Sequence, residues 1–246
     1  MTSTITSNGL NIYYNEDEKY EIGVDEAGRG PLFGRVYTAG VILPKNLSFQ
    51  HDLLKDSKRF SSDKKIIAVA KYIKENALAW VVLWNDEKQI DKINIRQATL
   101  ESMKNCVTEI FKKNIDKNNL NYRILVDGND FKPYTIFNKD KSCIETIEHV
   151  CIKKGDNTYT CIAAASILAK TERDIYIKKL CNQYPTIDEQ YGILKNKGYG
   201  TKQHLDAIKK FGATPWHRRS YGICKTIHDN IDYDNLTTGT DAISEK

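Results

Sequence analysis

The chain has 246 residues, of which 40% are hydrophobic and 28% are charged, a balance typical of a globular protein of one domain. Lys and Arg number 37 against 32 Asp and Glu, and the resulting net charge of +5 is only weak support for a polyanionic partner. No apolar run approaches the roughly 20 residues that cross a bilayer, and signal-peptide, CxxC and HExxH patterns are missing, so we expect a cytoplasmic protein without zinc.

The first third of the chain predicts two strands and a helix. Residues 1–19 are polar and predict a poorly ordered N-terminal extension. An alternating apolar pattern predicts a strand over residues 20–24, and a second strand is predicted over residues 36–43. A helix follows, which Ser61 or Ser62 can cap.

The middle of the chain continues the alternation of strands and helices. Residues 77–84 are an apolar run rich in Val and Trp, which predicts a buried strand. Apolar residues at helical spacing predict a long amphipathic helix over residues 95–110. Strands are predicted over residues 122–126 and, more weakly, 149–153, and residues 158–184 predict a helix with an alanine-rich middle.

The C-terminal part is predicted to be helical and then polar. Residues 202–211 predict a last helix that ends at Gly212, a residue type favoured just after a helix. Residues 223–246 predict a polar tail. Strands and helices that alternate without an internal repeat predict an α/β fold, a β-sheet with helices on its faces. We therefore expect one domain over residues 20–222.

Acidic residues stand at the ends of two predicted strands: Asp25 and Glu26 after the first, and Asp127 after a later one. Sites in open α/β sheets form where strands end, so these acids can converge if the chain turns at Ala27 and Gly28. Converging carboxylates repel one another unless a cation holds them, and oxygen ligands without His or Cys suit Mg²⁺ or Mn²⁺. The alternative is that each acid caps a turn or faces solvent, because Asp favours turns.

Residues 28–34 form a glycine-rich loop with the sequence GRGPLFG. A dinucleotide-binding fingerprint requires glycine where Phe33 stands, and it opens a helix, whereas Pro31 and the strand that follows fit a turn between strands. We therefore exclude a Rossmann-type site. Two interpretations remain open: a loop whose backbone approaches a ligand closely, with Arg29 beside it, and a plain tight turn.

Nine motifs occur in order over about residues 20–222: GVDEAGRGP at 23–31, DSK at 56–58, NIRQAT at 94–99, VDG at 126–128, KGD at 154–156, AAASILAK at 163–170, RD at 173–174, KGYGT at 197–201 and HRRS at 217–220. Together they resemble ribonuclease HII, the bacterial type 2 ribonuclease H. The resemblance implies a ribonuclease H-like fold, with a central mixed β-sheet flanked by helices and a helical C-terminal region.

The resemblance also implies an activity and the residues that carry it. It implies an endoribonuclease that hydrolyses the RNA strand of RNA–DNA hybrids and cuts 5′ to ribonucleotides embedded in duplex DNA, leaving a 3′-hydroxyl and a 5′-phosphate. The carboxylates that would hold two Mg²⁺ or Mn²⁺ ions are Asp25, Glu26, Asp127 and Asp156. The substrate-binding residues would be Gly28, Arg29, Gly30, Ser57, Lys58, Ser166, Lys170 and Tyr199.

Within the substrate-binding set, the resemblance assigns three tasks. The loop of Gly28, Arg29 and Gly30 would contact the 2′-hydroxyl that marks a ribonucleotide. Tyr199 would pack on the next sugar and sense that it is deoxyribose, and the serines and lysines would contact phosphates. Such an enzyme would serve ribonucleotide excision and DNA replication and repair. We expect a monomer, because no oligomerisation signal appears.

The chain departs from the family pattern at three places. Arg35 stands where the family has proline, and Phe33 replaces a small residue. The interval between Asp127 and Asp156 is long, and we expect the extra residues to form a polar excursion around residues 130–142.

Three other functions compete with this one. A non-catalytic relative that binds RNA–DNA hybrids would have no need of four carboxylates near phosphates. Ribonuclease HIII carries a sizeable N-terminal domain, whereas fewer than 20 residues precede the first predicted strand here. A small-molecule phosphohydrolase would leave the motifs around Arg29 and Tyr199 unexplained.

Overall fold

A computed structural model describes residues 5–113, 121–138 and 142–227, which form a six-stranded β-sheet with helices on both faces. The strands are β1 Tyr20–Ala27, β2 Val36–Ile42, β3 Ala79–Asn85, β4 Tyr122–Asp127, β5 Tyr134–Asn138 and β6 Cys143–Ile152. The helices are α1 Asp63–Asn76, α2 Glu87–Ile93, α3 Ile95–Lys112, α4 Thr160–Gln183, α5 Pro185–Tyr191, α6 Ile193–Asn196 and α7 Lys202–Phe211. Among the described residues, no helix combines the length and apolar character that crossing a membrane requires.

The strand order across the sheet is β3-β2-β1-β4-β6-β5, and the sheet is mixed. Strands β1, β4 and β6 run parallel, whereas β2, β3 and β5 join it in antiparallel pairs. Because parallel strands end at the same edge of a sheet, residues at the ends of β1, β4 and β6 come together there. The mixed sheet with flanking helices confirms the predicted fold.

Helix α4 covers one face of the sheet and lies directly against β1. Gly23 permits this approach, because a Cβ atom at that position would collide with the backbone of Cys161 and Ile162. The alanines at residues 163–165 are fully buried and keep the helix close to the strands. The short distance between α4 and β1 places Ser166 next to the edge of the sheet at which the parallel strands end.

Helix α3 covers the other face, and a third core lies beyond the end of α4. The apolar side of α3, which includes Met103, Cys106 and Ile110, packs against buried residues of β1 and β4. Helices α5, α6 and α7 enclose the third core around Tyr191 and Phe33, both fully buried. The predicted helical C-terminal region is confirmed, and it packs against the end of α4.

Most predicted elements are confirmed, with shifts at their ends. Of the two candidate serines, Ser62 caps α1, and its hydroxyl accepts the backbone N–H of Lys65. Helix α7 begins after Thr201, whose hydroxyl accepts from the N–H of His204, and ends before Gly212 as predicted. The strand predicted at residues 149–153 is confirmed as the end of β6, which begins earlier, at Cys143.

The prediction of a poorly ordered N-terminal extension is wrong for the residues that the structure describes. Residues 5–19 were expected to be poorly ordered, but Leu10 and Ile12 are buried and Asn11 forms a β-bridge with Tyr159. The sequence looked polar because only a few apolar side chains anchor the segment. Residues 1–4 lie outside the described residues.

The polar excursion predicted around residues 130–142 contains strand β5, which pairs with β6 in a hairpin. Its alternation was hard to recognise because Phe137 and Ile144, an opposed pair in this hairpin, both face outward. Residues 139–141 lie outside the described residues. Of the predicted tail, residues 228–246 also lie outside them, whereas Cys224 is buried in a short 3-10 helix.

A buried guanidinium joins the N-terminal segment to the sheet. The guanidinium of Arg123 on β4 lies 2.8 Å from Asp17 Oδ2, 2.9 Å from Glu148 Oε1 and 3.6 Å from Glu21 Oε1. Its hydrogen bonds hold the pKa of Asp17 and of Glu148 below their usual values. Arg123 therefore supports the order of residues 5–19.

We expect the substitution Arg123→Leu to lower the free energy of unfolding by about 3 kcal/mol, because the surrounding carboxylates lose a shared, buried cation. Arg96→Leu is the control, since its ion pair with Asp130 is exposed and should contribute at most about 1 kcal/mol. Denaturant unfolding of both variants measures the difference. The loss for Arg123→Leu should shrink below a pH of about 4, because protonating Asp17 and Glu148 removes the same interactions. Equal losses in the two variants would contradict this account.

Candidate active site

Four acidic side chains converge at the edge where the parallel strands end. Asp25 on β1 stands beside Asp127, the last residue of β4, because the parallel register pairs the residues that precede them. Asp156 follows β6 in the 3-10 turn Gly155–Asn157. The side chain of Glu26 contacts that of Asp25 and lies within the field of Asp127. The structure thus brings together the four carboxylates that the resemblance implied.

The local geometry of Asp25 and Glu26 differs from the prediction in one respect. Strand β1 does not stop at Asp25 but continues to Ala27, and Glu26 is paired with Thr38 of β2. The two acids are therefore consecutive residues of a regular strand, and no break turns them toward one side. Their carboxylates still meet, because the Glu26 side chain is long enough to reach back to the edge.

Burial and mutual repulsion make this group of acids costly to ionise. Burial is the largest cause of the raised pKa values of Asp25, Glu26 and Asp156. The negative charge of Asp127 raises all three further. Arg29 opposes the effect at Glu26, with its Nη1 atom 3.4 Å from Glu26 Oε1.

A backbone donor orients Asp127. The N–H of Gly155 donates to Asp127 Oδ1 at 2.6 Å. A side chain at position 155 would collide with Ile162 of α4, so only glycine lets this turn approach the helix so closely. The turn after β6 therefore supplies both Asp156 and the donor that holds Asp127.

The donor set fits a hard divalent cation. It contains carboxylate oxygens alone, which suit Mg²⁺ or Mn²⁺, and a cation would relieve the repulsion that raises the pKa values of these acids. Within the described ranges, no three His, Cys, Asp or Glu side chains already surround one point as metal ligands. Two of the acids instead accept from protein donors, Asp127 from the N–H of Gly155 and Glu26 from Arg29.

A hydroxyl pair and a fifth carboxylate complete the rim of the site. Ser57 Oγ lies 3.1 Å from Ser166 Oγ, and Ser166 in turn contacts Asp25. Asp56 accepts from the N–H of Lys58 at 2.8 Å, and its charge raises the pKa of Asp156, which Lys58 lowers. No role was predicted for Asp56, although it lies in the DSK motif and has polar neighbours on both sides.

The glycine-rich loop lies beside the acids. Gly28 is buried with a φ of 95°, whereas Arg29 and Gly30 are exposed. A Cβ at Gly28 would collide with the Arg173 side chain. The ring of Tyr199 is half-exposed and lies 3.4 Å from where a Cβ of Gly30 would stand. The structure therefore brings the loop and Tyr199 to one surface.

Lys170 is placed differently from the other predicted residues. It lies one turn after Ser166 on α4, but its ammonium group contacts Asp174 Oδ2 at 2.7 Å. An ammonium group has three donors, so this contact uses only part of the hydrogen-bonding capacity of Lys170.

The two unusual residues near the loop have clear structural roles. Phe33 is fully buried and packs edge-to-face on His217, with 5.1 Å between ring centroids. Arg35 stacks between Trp84 and Tyr176, with its guanidinium carbon 3.7 Å and 4.6 Å from the two ring centroids. The third core and this cation–π stack accommodate both departures from the family pattern.

Two buried arginines that were not predicted to be site residues contact the glycine-rich loop on its buried side. Arg218 and Arg173 both donate to backbone carbonyls of residues 28–35. The sequence signal was their presence in the HRRS and RD motifs, but their backbone partners lie far away along the chain.

Comparison with known proteins gives consistent matches. The family model described as Ribonuclease HII matches residues 22–224. A ribonuclease HII of Bacteroides fragilis is 42% identical over 207 residues, which are 84% of this chain and 91% of the relative. A ribonuclease HII of Bacteroides thetaiotaomicron is 41% identical over 221 residues, 90% of this chain and 98% of the relative. A structure of RNase HII from Archaeoglobus fulgidus, solved in complex with PCNA, superposes with a TM-score of 0.60 and is 23% identical in sequence. The superposition covers 83% of this chain and 96% of the Archaeoglobus fulgidus chain.

The repulsion among the acids predicts how a neutral substitution changes thermal stability. In EDTA, we expect Asp127→Asn to raise the melting temperature by about 2–4 °C, because it removes a charge that its neighbours repel. Addition of Mn²⁺ should raise the melting temperature of the wild type and have a smaller effect on the variant. The control is Glu75→Gln, an exposed helical carboxylate, which should respond to Mn²⁺ as the wild type does. Equal Mn²⁺ responses of wild type and Asp127→Asn would contradict a cation site at these acids.

Proposed function

Because this chain belongs to the ribonuclease HII family, endonucleases that cleave RNA in RNA–DNA hybrids and at embedded ribonucleotides, we propose that the four converging carboxylates form its catalytic centre. The observation that carries this proposal is the convergence of Asp25, Glu26, Asp127 and Asp156 at one edge of the sheet. The cut lies on the 5′ side of the ribonucleotide. Water adds to phosphorus, the P–O3′ bond breaks, and the products carry a 3′-hydroxyl and a 5′-phosphate.

The ribonuclease H family depends on divalent metal ions, and we propose that two Mg²⁺ or Mn²⁺ ions bind here. The ligands are the carboxylates of Asp25, Glu26, Asp127 and Asp156. When bound, the ions activate the attacking water and stabilise the leaving oxygen. The N–H of Gly155 keeps Asp127 turned toward the site, and Arg29 does the same for Glu26.

The exposed loop supplies the contact that distinguishes RNA from DNA. Only a ribonucleotide has a 2′-hydroxyl, and the backbone at Gly28, Arg29 and Gly30 can approach it where a side chain would not fit. The proximity of this loop to Glu26 supports the proposal, because the sugar it recognises is next to the phosphate that is cut.

Phosphates along the substrate meet polar side chains on the rim. Ser57 and Ser166 lie within hydrogen-bonding distance of each other beside Asp25, and Lys58 lies near Asp156. Lys170 joins them through an ammonium donor other than the one that contacts Asp174. The positive side chains offset the repulsion between the carboxylates and the phosphates.

The wider role follows from the same substrate. We propose a monomer with one catalytic domain over residues 20–222 that acts in the cytoplasm on ribonucleotides in DNA, in excision, replication and repair. A non-catalytic hybrid-binding protein is the alternative. The buried, mutually repelling carboxylates favour an enzyme, because a binding protein gains nothing from their cost.

We expect the wild-type protein to cleave a DNA duplex with one embedded ribonucleotide at its 5′ side in Mg²⁺ or Mn²⁺, and to leave an all-DNA duplex intact. EDTA should abolish the cleavage. Asp127→Asn should lower the cleavage rate at least about a hundred-fold. Substitution of a residue that only hydrogen-bonds to a metal ligand can already lower activity by about that factor. Gel analysis of end-labelled duplexes measures both the rate and the position of the cut.

The matched control for this carboxylate-to-amide change is Glu75→Gln on the outer face of α1, which should cleave at the wild-type rate. Tight binding of the duplex without cleavage in either metal would support the hybrid-binding alternative. Full activity of the Asp127→Asn variant would contradict the proposal that these carboxylates form the catalytic centre.

Tyr199 provides a separate test of substrate contact. Its ring lies next to Gly30 and is half-exposed, so a sugar can pack against it. We expect Tyr199→Ala to raise KM for the duplex with one ribonucleotide about ten-fold, and Tyr199→Phe to change it less than about three-fold, because the contact uses the ring face. If both substitutions raise KM equally, the hydroxyl group rather than the ring makes the contact.

A further inference from the structure

Arg218 is enclosed by the recognition loop. The side chain is fully buried, and its guanidinium makes five hydrogen bonds, all to backbone carbonyls of the loop. Nε and Nη2 donate to Gly34 O at 2.9 and 2.6 Å, and Nη2 also donates to Gly28 O at 2.6 Å. Nη1 donates to Arg29 O at 3.0 Å and to Pro31 O at 2.9 Å. The loop is thus wrapped around one planar cation.

The direction of these carbonyls determines what the loop shows to solvent. Carbonyls that point inward to Arg218 leave the outer surface of the loop to peptide N–H groups. In the part of the chain that the structure describes, the N–H groups of Arg29 and Gly30 have no hydrogen-bond acceptor, and both residues are exposed. Water can satisfy exposed N–H groups of this kind, and two such donors side by side are accessible to an oxygen atom of a ligand.

Other contacts hold the ends of the loop and leave its tip open. Leu32 N–H donates to Gly198 O and Gly34 N–H donates to Trp216 O, both at 2.9 Å. The Tyr221 hydroxyl donates to Arg29 O at 2.7 Å, so this carbonyl is held from two sides. These contacts hold the N–H groups of Leu32 and Gly34 and the carbonyl of Arg29, and none of them uses the N–H groups of Arg29 and Gly30.

Lysine cannot replace arginine in this position. A guanidinium presents five N–H donors in a rigid plane, which match the carbonyls around it, whereas an ammonium has three donors on a flexible stem. A lysine at position 218 would leave loop carbonyls buried without donors, and the loop would turn some of them outward.

We propose that Arg218 is a positioning residue for ribonucleotide recognition: it holds the loop carbonyls inward so that the Arg29 and Gly30 N–H groups point to the 2′-hydroxyl. Arg218 itself touches no substrate. The inference rests on the proposed function, because it assigns the loop to the ribose.

The test compares Arg218→Lys with its neighbour Arg219→Lys, whose guanidinium donates to carbonyls of Ala213, Thr214 and Ile227 outside the loop. The kinetic readouts are KM for a duplex with one ribonucleotide and the inhibition constant of the same duplex made wholly of DNA. We expect Arg218→Lys to raise KM about ten-fold or more and to change the inhibition constant less than about two-fold, because only ribose recognition is lost. Arg219→Lys should leave both near wild type.

Hydrogen exchange of the loop peptide reports on the loop itself without any substrate. We expect exchange at Leu32 and Gly34 to accelerate at least about ten-fold in Arg218→Lys and to stay unchanged in Arg219→Lys. Tyr221→Phe is a milder variant for the case that Arg218→Lys does not fold. It removes one donor to the same loop and should raise KM about five-fold with little loss of stability.

Each result decides the proposal. A raised KM together with faster loop exchange supports it. A raised KM with unchanged exchange, or faster exchange with unchanged KM, overturns it. If the wild type cleaves neither duplex, the proposed function fails and the recognition role fails with it, whereas a cleaving wild type with an unaffected Arg218→Lys variant overturns this inference alone.

Discussion

The close approach of helix α4 to strand β1 is the constraint on which the site depends. Gly23 has no side chain, so the backbone at Cys161 can touch the strand, and the alanines that follow keep the gap narrow. Because the helix is rigid, this contact also determines what its later turns can reach. Ser166 lies against Asp25, and Arg173, about two turns further on, packs where a side chain at Gly28 would be. One helix–strand contact therefore positions Ser166, Asp25 and the glycine-rich loop relative to one another.

The positive side chains at the site offset only part of the repulsion among its carboxylates. Asp25 and Asp156 are buried near other carboxylates, and the raised pKa values of these two acids show the energetic cost. Arg29 and Lys58 lower that cost at Glu26 and Asp156, and both side chains are exposed. A cation bound by the acids would free these two side chains for the substrate. The repulsion among the acids would thus favour the binding of a cation at the same place.

Sequence patterns predicted what depends on periodicity and on local rules. The strands that carry Asp25 and Asp127, the cap at Ser62 and the helix end before Gly212 follow from alternation, capping and backbone preference. Strand β5 was missed because one of its faces is exposed at the edge of the sheet and the surrounding residues are polar. The packing of residues 5–19 was missed for a similar reason, since a long-range ion pair with Arg123 holds a segment that has few apolar residues.

The arrangement of the loop could not be predicted from sequence, and the reason is general. A loop that recognises a ligand through its N–H groups must satisfy its carbonyls elsewhere, because buried backbone groups need partners. Here the partner is the side chain of Arg218, about 190 residues further along the chain than Gly28. Neither the GRGP segment nor the HRRS motif contains a local sign of that pairing. A motif of glycines indicates that a backbone can approach a ligand, but only the donors behind it determine which backbone atoms the ligand meets.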